Sequence, residues 1–448
     1  MEALYNWRWV EAHVEKTIAV WNDCAAECAQ MGPQYSRREQ RRREKAYDEG
    51  LRAVECELKR APRSMAERLE VQERIVATFP RFATVALGLE GEAVDLLTNH
   101  FLPAGTQLAR WAKRFDANLS ATDVIQACRN AWTACGLQLL LGEPMALTQS
   151  ILGYSLLYPY SDNYLDREDV SAAEKIEFSQ RFRNRLCGER LAARNLHEAS
   201  IWALVGLIEE QYSRSAYPQV FDCLLAIHRA QENSIAQLDR RGCDASEVLR
   251  ISCAKGGTSV LADACLSHGW LGEEESRFAF EWGVLLQLGD DLQDLREDLQ
   301  RGSVTLFTSA VAASMPLDGL ATQLFNLSDR VAARMDGLPR GTAQMKDLLR
   351  MSWRSLILMA VANAREFFSP VFLAGLERSS PFSFSFQCAR QKKLTGRQGL
   401  YAALFDAFIE AGGADKGGLP LPEGRVQRCL EANPQCIADA ASLDNAAA

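Results

Sequence analysis

Histidine is scarce in this chain, with five in 448 residues. His13, His100, His197, His228 and His268 show no paired spacing, so no histidine-based zinc site is expected. The 13 cysteines are odd in number and form no Cys-x-x-Cys pair. The single Cys265-x-x-His268 has no companion pair. The cysteines therefore read as small buried residues in a reducing compartment, not as a disulfide framework or a zinc finger. No glycine-rich phosphate loop follows a strand pattern and no Gly-x-Ser-x-Gly elbow occurs, which removes two common catalytic architectures. No uncharged apolar run reaches the roughly 20 residues that span a bilayer. The start Met1-Glu2-Ala3-Leu4-Tyr5-Asn6-Trp7 lacks a basic region before an apolar one, so no secretory signal is read. A soluble cytoplasmic protein is expected, with contact to a membrane surface left open. The net charge of −8 argues against nucleic acid as a partner. The basic run from Arg37 to Lys45 carries its own glutamates and reads as a solvated helix face.

Strand patterning is also nearly missing. Asn-Gly does not occur, and Asp318-Gly319 and Asp336-Gly337 lack flanking alternation, so both read as turns at helix ends. What is present is helical periodicity, in a chain 48% hydrophobic and therefore able to bury a large core. The expectation is an all-α protein. Residues 1–105 read as an N-terminal helical extension, 106–390 as the main helical domain, and 391–448 as a C-terminal helix and mobile tail. Ser120 before Asp123 is a helix N-cap signal. Pro62, Pro80 and Pro103-Ala104-Gly105 read as breaks, and Pro159 as a kink. Continuous helices are expected over 273–300 and 343–378. Gly256-Gly257 interrupts an apolar helix pattern, which signals a kink or close approach of a ligand.

Two acidic clusters then stand out. One is Asp162-Asn163-Tyr164-Leu165-Asp166; the other is Asp290-Asp291-Leu292-Gln293-Asp294, followed by Glu297 and Asp298. Each repeats carboxylates four residues apart, on one face of a helix and after an apolar stretch. Like charges so stacked repel, and a cation between them relieves the cost. One such pattern is most often a solvated helix end. Two on facing helices would form an oxygen-rich cage for Mg²⁺, with Mn²⁺ as its substitute, and Mg²⁺ bridges to phosphate. The expected metal ligands are Asp162, Asp166, Asp290 and Asp294, with Asp291 and Asp298 as secondary ones. Back along the same helices lie Tyr154 and Tyr158, and Gln287, Trp282 and Phe280. That layout suits a greasy pocket with a metal-binding mouth, whose aromatic rings would face a carbocation. Lys255 and Arg301 are candidates to grip a diphosphate, and His228 a candidate for the cavity wall.

The string Gln287-Leu288-Gly289-Asp290-Asp291-Leu292-Gln293-Asp294 is similar to the second aspartate-rich motif of the class I isoprenoid synthases. Lys255-Gly256-Gly257-Thr258 resembles the kinked helix before it, and Asp162-Asn163-x-x-Asp166 fills the place of the first motif. Asn163 stands where prenyl elongases carry a second aspartate, and the arginine pair that follows in them is out of register. The Asn-Ser-Glu motif of ordinary sesquiterpene cyclases is absent. Asp290-x3-Asp294-x2-Glu297-Asp298-x3-Gly302, with Phe307 beyond it, most resembles the large bacterial terpene synthases of the tetraprenyl-β-curcumene synthase type. The resemblance spans roughly residues 120–310. It implies a helical bundle around a central apolar cavity, Mg²⁺-dependent ionisation of a linear prenyl diphosphate, and cyclisation of the allylic cation. It also implies a tendency to homodimerise. Head-to-head condensation of the squalene or phytoene type, and a binding protein without turnover, stay open as alternatives.

Overall fold

Hydrophobic periodicity becomes helix wherever the structure is described. The computed structural model describes residues 7–24, 32–59, 64–167, 169–238, 245–395, 419–420 and 422–431. Of residues 58, 65, 68, 158, 162, 163, 166, 235–238, 394 and 395 it gives the helical backbone alone. Among the described residues there are helices and no strand, so the chain is all-α.

The organising element is α11 (Ala245–His268). It is buried on nearly every face, from Val248 and Cys253 to Ala264 and Ser267. A helix that is buried all round belongs at the centre of a bundle. It packs against α6 (Ala121–Leu141), α7 (Gln149–Asp166), α10 (Pro218–Leu238) and, most extensively, α12 (Glu273–Gln293). Outside these lie α9 (Leu196–Gln211) on α7, and α15 (Asp318–Gly337) and α16 (Ala343–Asn363) on α12. Helix α8 (Ala172–Leu186) rests on α10. Helix α1 (Trp7–Asp23) lies across α11 and α12 and sends Val10, Val14 and Trp21 into the main core. Each such side chain contributes about 1.5–3 kcal/mol. The hairpin of α2 (Arg37–Leu58) and α3 (Met65–Phe82) meets the later chain through Tyr47, whose ring packs edge-on against Phe382 and Phe386.

The close pairing of α11 and α12 explains Gly256-Gly257. Helix α11 runs on without interruption through them. A Cβ on Gly256 would lie 2.5 Å from the carbonyl oxygen of Gly283, and one on Gly257 would strike the Phe280 ring. The close approach is thus between two helix backbones, not between backbone and ligand.

Several punctuation marks act differently from expectation. Pro80 sits inside α3, and the amide it lacks is followed by a π-turn at Ala83–Leu87. Pro103 lies in the first turn of α5 (Leu102–Phe115), which follows directly on a π-turn at Leu96–Phe101, so the helical run passes through it. Pro62 lies outside the described residues. The expected helix 343–378 ends at Asn363 and restarts as α17 (Pro370–Arg378), with the Ser369 hydroxyl capping Phe372 N and Pro370 in the first turn. Ser120 caps α6 as expected. Its hydroxyl accepts from Asp123 N at 3.1 Å, and Asp123 Oδ2 accepts from Ser120 N at 3.0 Å. Within the expected tail, Arg425–Glu431 is helix α19 (α18 being Phe384–Thr395), tied to α9 by Arg425 and Glu210. Residues 396–418, 421 and 432–448 of the expected C-terminal segment lie outside the described residues. No described helix is long and apolar enough to cross a membrane.

Candidate functional site

Contacts along α11 place the two acidic segments. Helix α7 runs antiparallel to it: Ser150 Oγ donates to Leu266 O at 3.0 Å, and Tyr154 OH donates to Ser259 O at 3.3 Å. Two turns beyond Tyr154 on α7 stands Asp162; two turns before Ser259 on α11 stands Ser252. Ser252 Oγ in turn donates to Asp291 Oδ2 of α12 at 3.1 Å. The C-terminal ends of α7 and α12 therefore lie at the same end of the bundle. The side chains of Asp162 and Asp166, and of Tyr158, lie outside the described residues.

The second cluster can be built atom by atom. Helix α12 ends at Gln293. Asp294 takes φ −91°, ψ 5°, and the chain re-enters helix as α13 (Leu295–Arg301). The expected helix 273–300 is thus interrupted at Asp294 and resumes at fully buried Leu295. Asp290, Asp294 and Asp298 still succeed one another at helical spacing, through Asp294 N to Asp290 O (2.8 Å) and Asp298 N to Asp294 O (2.9 Å). These carboxylates stand at the negative end of the α12 dipole, an unfavourable site for an anion by about 0.3–1 kcal/mol each. Dipole and clustered carboxylates together make this end of the bundle a place for cations.

The members differ in role. Asp291 is buried, and both its oxygens are engaged: Oδ1 accepts from Gln287 Nε2 at 2.8 Å and Oδ2 from Ser252 at 3.1 Å. Burial pushes its carboxyl up to about 6, against the pull of those two donors and of Lys255. So held, Asp291 ties α12 to α11 more than it faces outward. Asp290 is 39% exposed and meets Arg129 Nη2 of α6 at 3.4 Å. Desolvation raises its carboxyl, as it does those of Asp294 and Asp298; Asp294 adds to the rise at Asp290 and Asp298, and Glu297 to that at Asp294 and Asp298. Lys255 acts on Asp290 and Asp291 from α11. Arg301 is exposed, pairs with Glu297 at 3.7 Å, and bears on Asp294 and Asp298. The site thus gathers Gln287, Asp290, Asp291, Asp294, Asp298, Lys255 and Arg301, and adds Arg129. The hard oxygen donors suit Mg²⁺. Among the described residues, no group of three or more His, Cys, Asp or Glu is arranged to hold a metal ion. A cage here requires the carboxylates of α7.

Below this end lies a cavity bounded by α6, α7, α8, α10 and α11, with room of about 40 Å³ for water-sized occupants. Leu157, Phe182, Leu186, Leu224 and Ile227 form its apolar side. Tyr154 and His228 line it, as the sequence suggested. His228 Nε2 is also bonded to Ser179 O at 3.1 Å, so it is a satisfied structural residue as well. Phe280 and Trp282 are packed elsewhere: Phe280 stacks on His13 at 5.2 Å, and Trp282 lies between Phe278 and Trp353. The space is far below the roughly 300–1,000 Å³ of ordinary small-molecule sites. A prenyl chain does not fit it without movement of the walls.

One polar group here escaped the sequence reading. Asn130 of α6 lines the cavity. Its Nδ2 donates to Asp263 Oδ2 at 3.0 Å, and its Oδ1 accepts from Ser155 Oγ at 2.8 Å. Asp263 is 1% exposed, its Oδ1 has no hydrogen-bond partner among the described residues, and burial raises its carboxyl well above the ordinary range. A lone carboxylate in the apolar stretch Val260 to Leu266 was the available signal.

Neither a family model, nor a curated protein, nor a solved structure matches this chain.

Proposed function

We propose that the chain is a Mg²⁺-dependent class I terpene synthase that ionises a linear prenyl diphosphate and cyclises or rearranges the allylic cation. The observation that carries this reading is the coincidence of two acidic helix ends, on α7 and α12, at one end of the bundle. Asp162, Asp166, Asp290, Asp294 and Asp298 would hold Mg²⁺, which when bound neutralises the charge of a leaving diphosphate. Arg129, Lys255 and Arg301 bring positive charge to the same end, where they orient the diphosphate and stabilise the charge that develops as its C–O bond breaks. Gln287, Asp291 and Ser252 lock α12 to α11 and so fix the direction in which the outward carboxylates point. Below them, the apolar wall excludes bulk water, and the Tyr154 and Phe182 rings are among the residues that line the space in which positive charge would develop. Substrate entry requires the wall formed by α8 and α10 to part from α7, against the Arg181–Glu198 and Arg185–Glu209 pairs that tie α8 to α9 and the Phe178–Tyr164 ring contact with α7.

A second reading has one observation in its favour. The small cavity suits a bundle that binds a prenyl diphosphate at its acidic end without turning it over. Diphosphate release separates the two. Linear prenyl diphosphates of ten to thirty-five carbons are supplied with Mg²⁺, and the extracts are analysed by mass spectrometry. Metal-dependent release that is lost in the Asp290→Ala/Asp294→Ala variant is the expected result. Product carbon number then separates cyclisation from head-to-head condensation. Folded protein that releases nothing from any of these substrates would support the binding reading.

A further inference from the structure

The cavity beneath the acidic end has one wall too polar for a hydrocarbon. Asn130, Tyr154, Ser161 and Ser259 present it from α6, α7 and α11, while His228 and Gln231 face it from α10. The first of these is fixed in orientation. Asn130 is clamped between Ser155 and Asp263, and no other described residue takes the second hydrogen of its Nδ2. Ser161 is buried and donates to Leu157 O at 3.0 Å, which leaves its oxygen lone pairs to accept. The second N–H of Asn130 and the lone pairs of buried Ser161, set against hydrocarbon alone, would each go without a hydrogen bond that water can make. The room of about 40 Å³ accommodates about three waters, and two to four polar partners are what a buried water needs.

We propose that this polar wall holds water that captures the substrate cation, so that the product is a terpene alcohol and not a hydrocarbon. The proposal rests on the reading of the chain as an enzyme that ionises a prenyl diphosphate. The apolar wall on α8 and α10 yields to the prenyl chain. The polar wall stays, because Ser155–Asn130–Asp263 and Tyr154–Ser259 tie α6, α7 and α11 together. The C–O bond to diphosphate breaks, and its electron pair leaves with the diphosphate. After any cyclisation, a water oxygen gives a lone pair to the cationic carbon and forms the new C–O bond. The proton that water sheds passes to the departed diphosphate. The sum is prenyl diphosphate plus water giving alcohol plus protonated diphosphate.

The test is turnover of linear prenyl diphosphates with Mg²⁺ in H₂¹⁸O. Cleavage at phosphorus by a contaminating phosphatase leaves the alcohol unlabelled, whereas capture at carbon labels it. Wild-type protein is expected to give a labelled alcohol as its main organic product. Asn130→Leu and, as a milder change, Ser161→Ala are expected to lower the ratio of alcohol to hydrocarbon roughly 2- to 10-fold, the rate equivalent of one hydrogen bond. That ratio is unmoved by a general loss of activity or folded protein. Diphosphate release with hydrocarbon as the only product, or a ratio unchanged in both variants, overturns the water proposal and leaves the synthase reading standing. No diphosphate release from wild type overturns the synthase reading and this proposal with it.

Discussion

Asp291 shows how a carboxylate in an acidic motif can serve the motif from inside. Its two oxygens are spoken for by Gln287 and Ser252, and burial raises its carboxyl to about 6 from an ordinary 3.8. A carboxyl raised on folding stabilises the protein while it is protonated, and that contribution fades as pH rises through the folded value. Metal-free protein should therefore lose about 3 kcal/mol from this group between pH 4 and pH 7. Asp291→Asn should flatten that decline and be the more stable protein at pH 7.5, as read from denaturant midpoints at the two ends of the range. Parallel pH profiles for the two proteins would contradict this assignment. The motif aspartates were legible in the sequence because their i, i+4 spacing is local. Arg129, Asn130 and Asp263 were not, because their partners lie more than a hundred residues away: Arg129 meets Asp290, and Asn130 meets Asp263. Only the isolation of Asp263 among apolar neighbours hinted at a buried role.

At the scale of elements, α11 and α12 depend on glycine at their crossing. A Cβ on Gly283 would lie 2.0 Å from the Gly256 carbonyl oxygen and 3.0 Å from Gly257 Cα, so the obstacle is backbone that no rotamer change can move. Gly283→Ala should cost roughly 3 kcal/mol by overpacking, despite the better helix propensity of alanine. Gly206→Ala on α9, where nothing lies within 4 Å of the added Cβ, is the matched control and should be neutral or slightly stabilising. Equal denaturation midpoints for the two variants would refute the close-crossing account. The helices themselves were legible from periodicity and caps, as at Ser120. Their interruptions were not. Pro80 and Pro103 do not end the helical run, and each stands beside a π-turn, Ala83–Leu87 and Leu96–Phe101, that local sequence does not announce. The stop at Asp294 was hidden because no proline or glycine marks it. The Gly256-Gly257 pair was visible, but its partner was not, since a ligand and a second helix ask the same smallness of a residue.

At the scale of the molecule, the account turns on two segments far apart in sequence acting as one site. An all-α chain was legible from the lack of strand patterning, and the described residues form helices and no strand. The volume of the cavity was not legible, because it depends on how Phe182, Leu186, Leu224 and Ile227 fill space between helices, not on their being apolar. The most direct measurement is calorimetric binding of a prenyl thiodiphosphate, whose sulfur bridge resists ionisation, in the presence of Mg²⁺. Wild type is compared with Asp162→Asn, Asp290→Asn and the double variant. If α7 and α12 grip one metal–diphosphate cluster, each single change should remove most of the Mg²⁺-dependent affinity and the double change should add little to either. Losses that simply add, or affinity indifferent to Mg²⁺, would show that the two acidic ends do not form one site.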